Sequence, residues 1–305
     1  MAQTDIVTLD LNFQGRPHAI ASYLIRQPHS DAVVLIESGP GSTLSSLEAG
    51  LAREGLSPRD VTHVLLTHIH LDHAGAAGWL ARQAQGAEIY VHPVGAPHML
   101  NPQRLIESAT RIYGDRMNEL WGEFLPVPQN QLKVAQDAEA ITIGNLEFVP
   151  INTPGHAEHH YTYLFEGTAF SGDIGGVRIP GYQYLRVPMP PPELHIERWH
   201  ESIERLRTLK PARIAPTHFG IYDDVEWHLN EVDKGLDSAS RWLVEVMPTD
   251  PPIEELRQSF TDWMVKEAKE MGLSEEVVNA FTVANPPGMS ADGLVRYWKK
   301  VKNTG

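Results

Sequence analysis

The chain has 305 residues, 42% hydrophobic and 21% charged, an ordinary globular composition that excludes disorder, collagen and coiled-coil rods as readings of the whole. Its 25 basic against 39 acidic residues give a net charge of −14, a surface that repels phosphate backbones, so no nucleic-acid partner is expected. Cysteine is absent, which excludes disulfides, thiolate metal sites, Cys nucleophiles and iron–sulfur clusters, while 15 histidines suit nitrogen-and-oxygen metal chemistry wherever they cluster.

The opening residues Met1 to Asp10 carry no basic n-region and no apolar h-region, and no apolar run reaches about 18 residues. No secretory leader, no membrane partner and a cytoplasmic setting are therefore expected, in keeping with the absent cysteine. Val7 to Phe13 alternates at period two and Ile20 to Ile25 is a second strand candidate. Ala32 to Ile36 is a buried strand stopped by Ser38-Gly39-Pro40-Gly41. Ser42 to Arg53 is a helix with Leu44, Leu47 and Leu51 on one face. Val61 to Leu66 is a strand that runs into Thr67-His68, Ala74 to Gln83 a helix, and Glu88 to Val91 a strand. This alternation predicts a layered α/β architecture.

Residues 93–131 form a helical insertion rich in Leu105, Ile112, Tyr113, Met117, Leu120, Trp121 and Phe124, either packed on the sheet or walling a pocket. Strands return at Ile141 to Ile143, Leu146 to Ile151, Tyr161 to Phe165 and Ala169-Phe170. Pro188-Met189-Pro190-Pro191-Pro192 is a stiff connector. A helix follows, with Ile196, Trp199, Ile203 and Leu206 on one face, then a short strand at Arg213 to Ala215 ending in Pro216-Thr217-His218. After Asp223-Asp224 the apolar residues Val225, Leu229, Val232, Leu236, Ala239, Leu243 and Val246 mark a straight helix seam, intramolecular or at a homodimer interface. Further helices are expected near Ile253 to Met271, Ser274 to Phe281 and Ser290 to Val301. The reading is a domain over 1–222, with its insertion at 93–131, and a helical extension over 223–305 packed on it.

One stretch carries most of the chemistry: Thr67-His68-Ile69-His70-Leu71-Asp72-His73-Ala74-Gly75. A strand alone points His68 and His70 to one face; the turn that follows re-aims Asp72 and His73 toward a second point. Gathering so many polar rings is costly without a cation to pair them. The stretch resembles the signature of the metallo-β-lactamase fold hydrolases, and later motifs fall in that family's order. Thr153-Pro154-Gly155-His156, Ser171-Gly172-Asp173 and Pro216-Thr217-His218 look like its remaining ligand segments, so the resemblance spans roughly residues 5 to 220.

The resemblance implies a four-layer αββα sandwich carrying the helical insertion and a helical C-terminal cap. It implies that His68, His70 and His156 hold one metal, that Asp72, His73 and His218 hold a second, and that Asp173 bridges them. Two divalent ions lower the pKa of bound water toward neutrality, giving a metal-bridging hydroxide as nucleophile. Asp72 is then the catalytic residue that orients it or shuttles its proton. Five His and two carboxylates suit Zn²⁺, with Mn²⁺, Fe²⁺, Co²⁺ and Ni²⁺ open by ligand type. Departures from the family are visible. Glu37-Ser38-Gly39 stands where relatives often have Asp-Thr-Gly, and Glu37 is expected to brace the metal loop. His160 matches a conventional second His behind the ligands, while His159 replaces a Gly and reads as a surface ring or a pocket residue. Tyr182 and Tyr184 lie further beyond Asp173 than the Tyr of family lactonases. His70 stands where the flavin-bearing redox members have Glu. His63, His92 and His98 read as packed or exposed rings, and His18, His29, His195, His200 and His228 carry no motif.

The expected function is dinuclear metal-dependent hydrolysis of a small, largely apolar ester, lactone or related electrophile, a small molecule being the partner. Phosphodiester or thioester hydrolysis is the alternative, with Lys299, Lys300 and Lys302 available to a thioester's carboxylates. A non-catalytic metal-binding protein is the third reading. Trp121, Phe124, Trp263 and Met264 are the candidate pocket walls.

Overall fold

A computed structural model of the chain describes residues 4–27 and 30–300. His29, Val301 and Lys302 lie outside the described residues. Two compact units emerge from the contacts, Met1–Asn152 with His159–Glu166, and Thr153–Glu158 with Gly167–Gly305.

The first unit is built on a six-stranded sheet in sequence order: β1 (Asp5–Asp10), β2 (Ala21–Arg26), β3 (Val33–Ile36), β4 (His63–Leu65), β5 (Glu88–Val91) and β6 (Leu132–Val134). β1 to β3 run antiparallel, and β3 to β6 run parallel. The central strands are buried on both faces, which is why they read as unbroken Val/Ile/Leu runs. Helices α1 (Leu44–Arg53), α2 (Leu71–Ala74) and α3 (Ala77–Gln83) follow β3 and β4. The insertion holds α4 (Ala96–Leu100), α5 (Gln103–Tyr113) and α6 (Met117–Trp121). Its last stretch, 122–131, is irregular and closes in a turn at 129–131, rather than helical. Antiparallel strands β7 (Ile141–Ile143), β8 (Leu146–Asn152) and β9 (Tyr161–Phe165) complete the unit.

Parallel pairing aligns the carboxyl ends of β3, β4 and β5, with Ile36 opposite Leu65 and Leu65 opposite Tyr90. The loops after these strands, carrying Glu37, the run from Thr67 to His73, and His92, therefore share one edge. Such an edge is where open α/β sheets hold ligands.

The second unit has a parallel pair, β10 (Thr168–Phe170) and β11 (Arg213–Ala215), and five helices: α7 (Ile196–Leu209), α8 (Val225–Val246), α9 (Ile253–Glu270), α10 (Glu275–Ala284) and α11 (Pro287–Lys300). The expected seam of α8 lies inside this unit. Leu229, Val232, Leu236, Ala239 and Leu243 are buried in one cluster with Trp199, Ile203 and Leu206 of α7. Met264 belongs to the same cluster, so it is an interior residue rather than a pocket wall, and the partly buried Trp263 packs on that cluster. α9 and α11 are joined by the paired bonds of Arg257 to Asp292, at 2.7 and 2.8 Å. No helix among the described residues is long and apolar enough to cross a membrane.

Candidate metal centre

In the first unit the chain leaves β4 at Leu65 and turns through Thr67 to His73 into the single turn α2. This loop is held from behind by Glu37, a fully buried carboxylate at the end of β3. Glu37 accepts the hydroxyl proton of Thr67, the Thr67 amide at 3.3 Å, and a bond from His73 Nδ1 at 3.0 Å. Its backbone has φ 67°, a strained value for a non-glycine that this network over-determines. Ser38 and Gly39 add amide bonds to the His73 carbonyl at 2.9 and 3.1 Å. Gly75 is required here, since a Cβ would lie 2.4 Å from the Leu71 carbonyl oxygen and 2.8 Å from Pro40 Cα.

These bonds settle which ring nitrogens face outward. Thr67 gives its proton to Glu37, so its oxygen accepts from His68 Nδ1 at 3.1 Å and leaves His68 Nε2 as the lone-pair nitrogen. That nitrogen lies 3.0 Å from His70 Nδ1. His73 is turned by Glu37 so that Nε2 lies 3.6 Å from Asp72 Oδ2. The stretch thus presents two donor pairs, His68 with His70 and Asp72 with His73. Glu37, His68 and His73 also lie close enough to form a donor group of their own. The His160 ring lies 5.0 Å from that of His68, tilted against it. His159, expected at the surface or in a pocket, is buried at 6% exposure, with its ring 6.0 Å from His68.

The insertion reaches this loop. Burial, and after it the negative charge of Asp72, hold the Tyr113 phenol well above its ordinary range. Trp121 lies edge-on to Tyr113 at 5.0 Å and stacks on Phe13 at 5.4 Å. The pocket-wall reading of the insertion therefore gains Tyr113, whose helical spacing in sequence marked it only as one apolar residue among several.

In the second unit, Asp173 stands in a 3-10 turn (Gly172–Gly175) just past β10, and His218 just past β11. His156 comes from the short segment Thr153–Glu158. Its Nδ1 bonds the Pro188 carbonyl at 2.9 Å, a use for the proline connector, and leaves Nε2 facing Asp173 Oδ2 at 3.2 Å. His218 Nε2 faces the other oxygen, Oδ1, at 3.3 Å. One carboxylate lies between two imidazoles, one on each oxygen. Gly155, at φ 138°, lets α7 pass: a Cβ there would meet Trp199 Cα at 2.4 Å.

His228 was missed by sequence reading. It is fully buried on α8, accepts from Arg178 Nη1 at 3.4 Å and donates from Nε2 to the Gly175 carbonyl at 2.6 Å. Burial pushes it down to about 4, so it is neutral. Arg178 forms paired bonds with Asp224 at 2.6 and 2.7 Å, lies over the Tyr222 ring, and donates its amide to the His218 carbonyl. A lone His at helical spacing gives no sequence signal for such a role. Tyr182 is exposed, and Tyr184 packs edge-on to Phe281 at 4.9 Å.

The donor chemistry fits divalent metal ions. Nitrogens bound to one tetrahedral ion at about 2.05 Å are separated by about 3.3 Å. The donor pairs here stand 3.0 to 3.6 Å apart, with lone pairs oriented by carboxylate, hydroxyl and carbonyl partners behind them.

An α/β fold with His and Asp gathered on strand-end loops suits the binding of divalent metal ions. The chain belongs to the metallo-β-lactamase superfamily, whose family model matches residues 15–218. It is 28% identical over 175 residues to the metallo-beta-lactamase fold-containing protein ST1585 of Sulfurisphaera tokodaii, covering 56% of this chain and 66% of that one. It is also 28% identical over 153 residues to a hydroxyacylglutathione hydrolase of Rhodopseudomonas palustris, covering 50% and 46%. The chain thus spans just under two thirds of the first relative and under half of the second. The metallo-beta-lactamase family protein TTHA1429 of Thermus thermophilus shares the fold at TM-score 0.64 and 20% identity, over 97% of this chain and 93% of that chain. The expected fold class holds.

Proposed function

We propose that the chain is a dinuclear metal-dependent hydrolase of small carboxylic esters or lactones. His68, His70 and His156 hold one ion, Asp72, His73 and His218 the other, and Asp173 serves both. The observation that carries this reading is Asp173, whose two oxygens face two different imidazoles at 3.2 and 3.3 Å. Bound divalent ions supply Lewis acidity and a nucleophilic water at neutral pH; Zn²⁺ suits the donor set. Asp72, held beside His73, is placed to accept a proton from the attacking water and to pass it to the leaving oxygen. Tyr113 and Trp121 give the acyl group an apolar wall and exclude bulk water from Asp72.

A second reading, thioester hydrolysis, is favoured by the relative named hydroxyacylglutathione hydrolase. It uses the same residues and differs only in the leaving atom. The test is a panel of aryl esters, lactones, thioesters and phosphodiesters on metal-loaded protein, with bound metal measured by elemental analysis. Two ions per chain and turnover of an ester or lactone are expected. Asp173→Ala should abolish turnover while leaving the fold. One tightly bound ion in metal-replete protein, or near-normal turnover in that variant, overturns the dinuclear assignment.

A further inference from the structure

Asp173 stands on a turn with little stiffness of its own. The 3-10 turn Gly172–Gly175 is four residues long, and Gly172 and Gly176 take positive φ of 50° and 70°. Short 3-10 segments have poor internal hydrogen bonds, and glycine leaves the backbone free to adopt other conformations. The turn is instead held from outside, at the two carbonyls that end it. Trp199 of α7 donates its indole N–H to the Ile174 carbonyl at 3.1 Å, and His228 of α8 donates from Nε2 to the Gly175 carbonyl at 2.6 Å. The Gly176 amide closes back on the Asp173 carbonyl at 2.9 Å.

The same end of α8 reaches His218. Asp224 precedes the first residue of α8, and Trp227 and His228 follow it by three and four positions, a spacing that puts all three on one face. All three meet the Arg178 guanidinium. Asp224 takes its paired bonds at 2.6 and 2.7 Å, His228 Nδ1 accepts at 3.4 Å, and the Trp227 ring lies 4.5 Å away. Tyr222 covers the guanidinium at 3.8 Å and donates its hydroxyl to the Arg178 carbonyl at 2.9 Å. Held in this way, Arg178 donates its amide to the His218 carbonyl at 2.5 Å, beside the bridge of Val177 to His218. Segment 173–178 thus carries Asp173 at one end and grips His218 at the other, and a single helical turn holds it at Gly175 and at Arg178.

We infer that His228, Arg178 and Asp224 are positioning residues: the first turn of α8 sets the Asp173 carboxylate against the His218 imidazole, and with it the affinity of the site for metal ions. The inference rests on the metal assignment of the hydrolase reading and adds to it a role for the helical extension. None of the three side chains touches a reacting group. A carboxylate that serves two ions has to meet both, so a displacement of about 1 Å at the turn costs on the order of 100-fold. Partners of this kind, placed behind the ligands, set metal affinity as well as turnover.

The experiment titrates Zn²⁺ into the full chain in competition with a chromophoric chelator and follows ester hydrolysis in parallel. His228→Leu removes both bonds of the ring, so it should bind Zn²⁺ about 10- to 100-fold more weakly. At saturating Zn²⁺ it should lower kcat and leave KM within about twofold, since no contact with substrate is lost. His228→Gln returns an N–H toward the Gly175 carbonyl and should recover most of the affinity. Asp224 is partly exposed, so Asp224→Asn should fold even where His228→Leu does not, and it should weaken Zn²⁺ binding by about tenfold, the low end of the same range. Leu236→Ala, on α8 outside this network, is the control: it should lower Tm and leave Zn²⁺ affinity and kcat unchanged. Wild-type affinity in Asp224→Asn or in folded His228→Leu, an equal loss in Leu236→Ala, or no recovery in His228→Gln each overturns the positioning role. If wild type binds Zn²⁺ but turns over no ester or lactone, the hydrolase reading fails, and the affinities then decide the positioning role alone. If wild type binds no Zn²⁺, both fail.

Discussion

Glu37 braces the candidate metal loop from behind. Its carboxylate receives Thr67 twice and His73 once, and through Thr67 it fixes the ring of His68 as well. A glutamine keeps the size but brings an amide N–H₂ against groups that also donate. Glu37→Gln is therefore expected to fold and to bind metal about 10- to 100-fold more weakly, as read by competition with a chromophoric chelator. An unchanged affinity would refute the bracing role. His228 makes a different prediction. Its pKa lies at about 4 in the folded chain against 6.5 ordinarily, chiefly because it is buried. Between these values the unfolded chain takes up a proton that the folded chain refuses. Stability falls as pH drops from about 6.5 toward 4, by about 3 kcal/mol in total, and this contribution is flat above and below that window. The stability difference between wild type and His228→Asn, measured by urea unfolding, should shrink across that range as pH falls. A difference independent of pH would show that His228 is not held neutral.

At the scale of elements, α8 was legible because seven apolar residues repeat at helical spacing, and most of them are buried against α7. Leu236→Ala should cost about 2–5 kcal/mol in urea unfolding, the range for a fully buried leucine. A loss under 1 kcal/mol would mean the seam is not packed. Other elements were less legible for local reasons. The alternation from Val7 to Phe13 predicts strand throughout, yet the strand stops at Asp10, because Asn12 and Gln14 take left-handed backbone at φ 48° and 52°. Leu11 and Phe13 stay buried, so the hydrophobic period survives where the strand does not. β6 gave no signal: it is three residues long, at a sheet edge, with Val134 exposed. The insertion reads as helical, but Gly114 and Gly122 at positive φ interrupt it, and the irregular residues beyond are fixed by tertiary contacts such as Gln131 to the carbonyls of Ala81, Ala84 and Ala87.

Over the whole molecule, the candidate metal residues were legible because loop chemistry is local: three His and an Asp within six positions stand out in the sequence, and their donor atoms lie together in the fold. Stripping metal with a strong chelator should abolish turnover, and adding back Zn²⁺ should restore it; activity that survives exhaustive chelation is incompatible with the proposed chemistry. A chain truncated after Gly220 should be insoluble, because Trp199, Ile203 and Leu206 lose Leu229, Val232 and Leu236 as partners. Recovery of a soluble, fully active fragment would show that α8 to α11 are dispensable.

The six residues Thr153–Glu158 belong with Gly167–Gly305, although 141–152 and 159–166 on either side of them belong with the other unit. The polypeptide therefore passes between the units three times, and no single cut in the gene separates them. Fragments 1–166 and 167–305 each carry part of the donor set, and His156 travels with the fragment that lacks Asp173 and His218. Cut after residue 166, the six-residue loop has to find its own helix, α7, in trans.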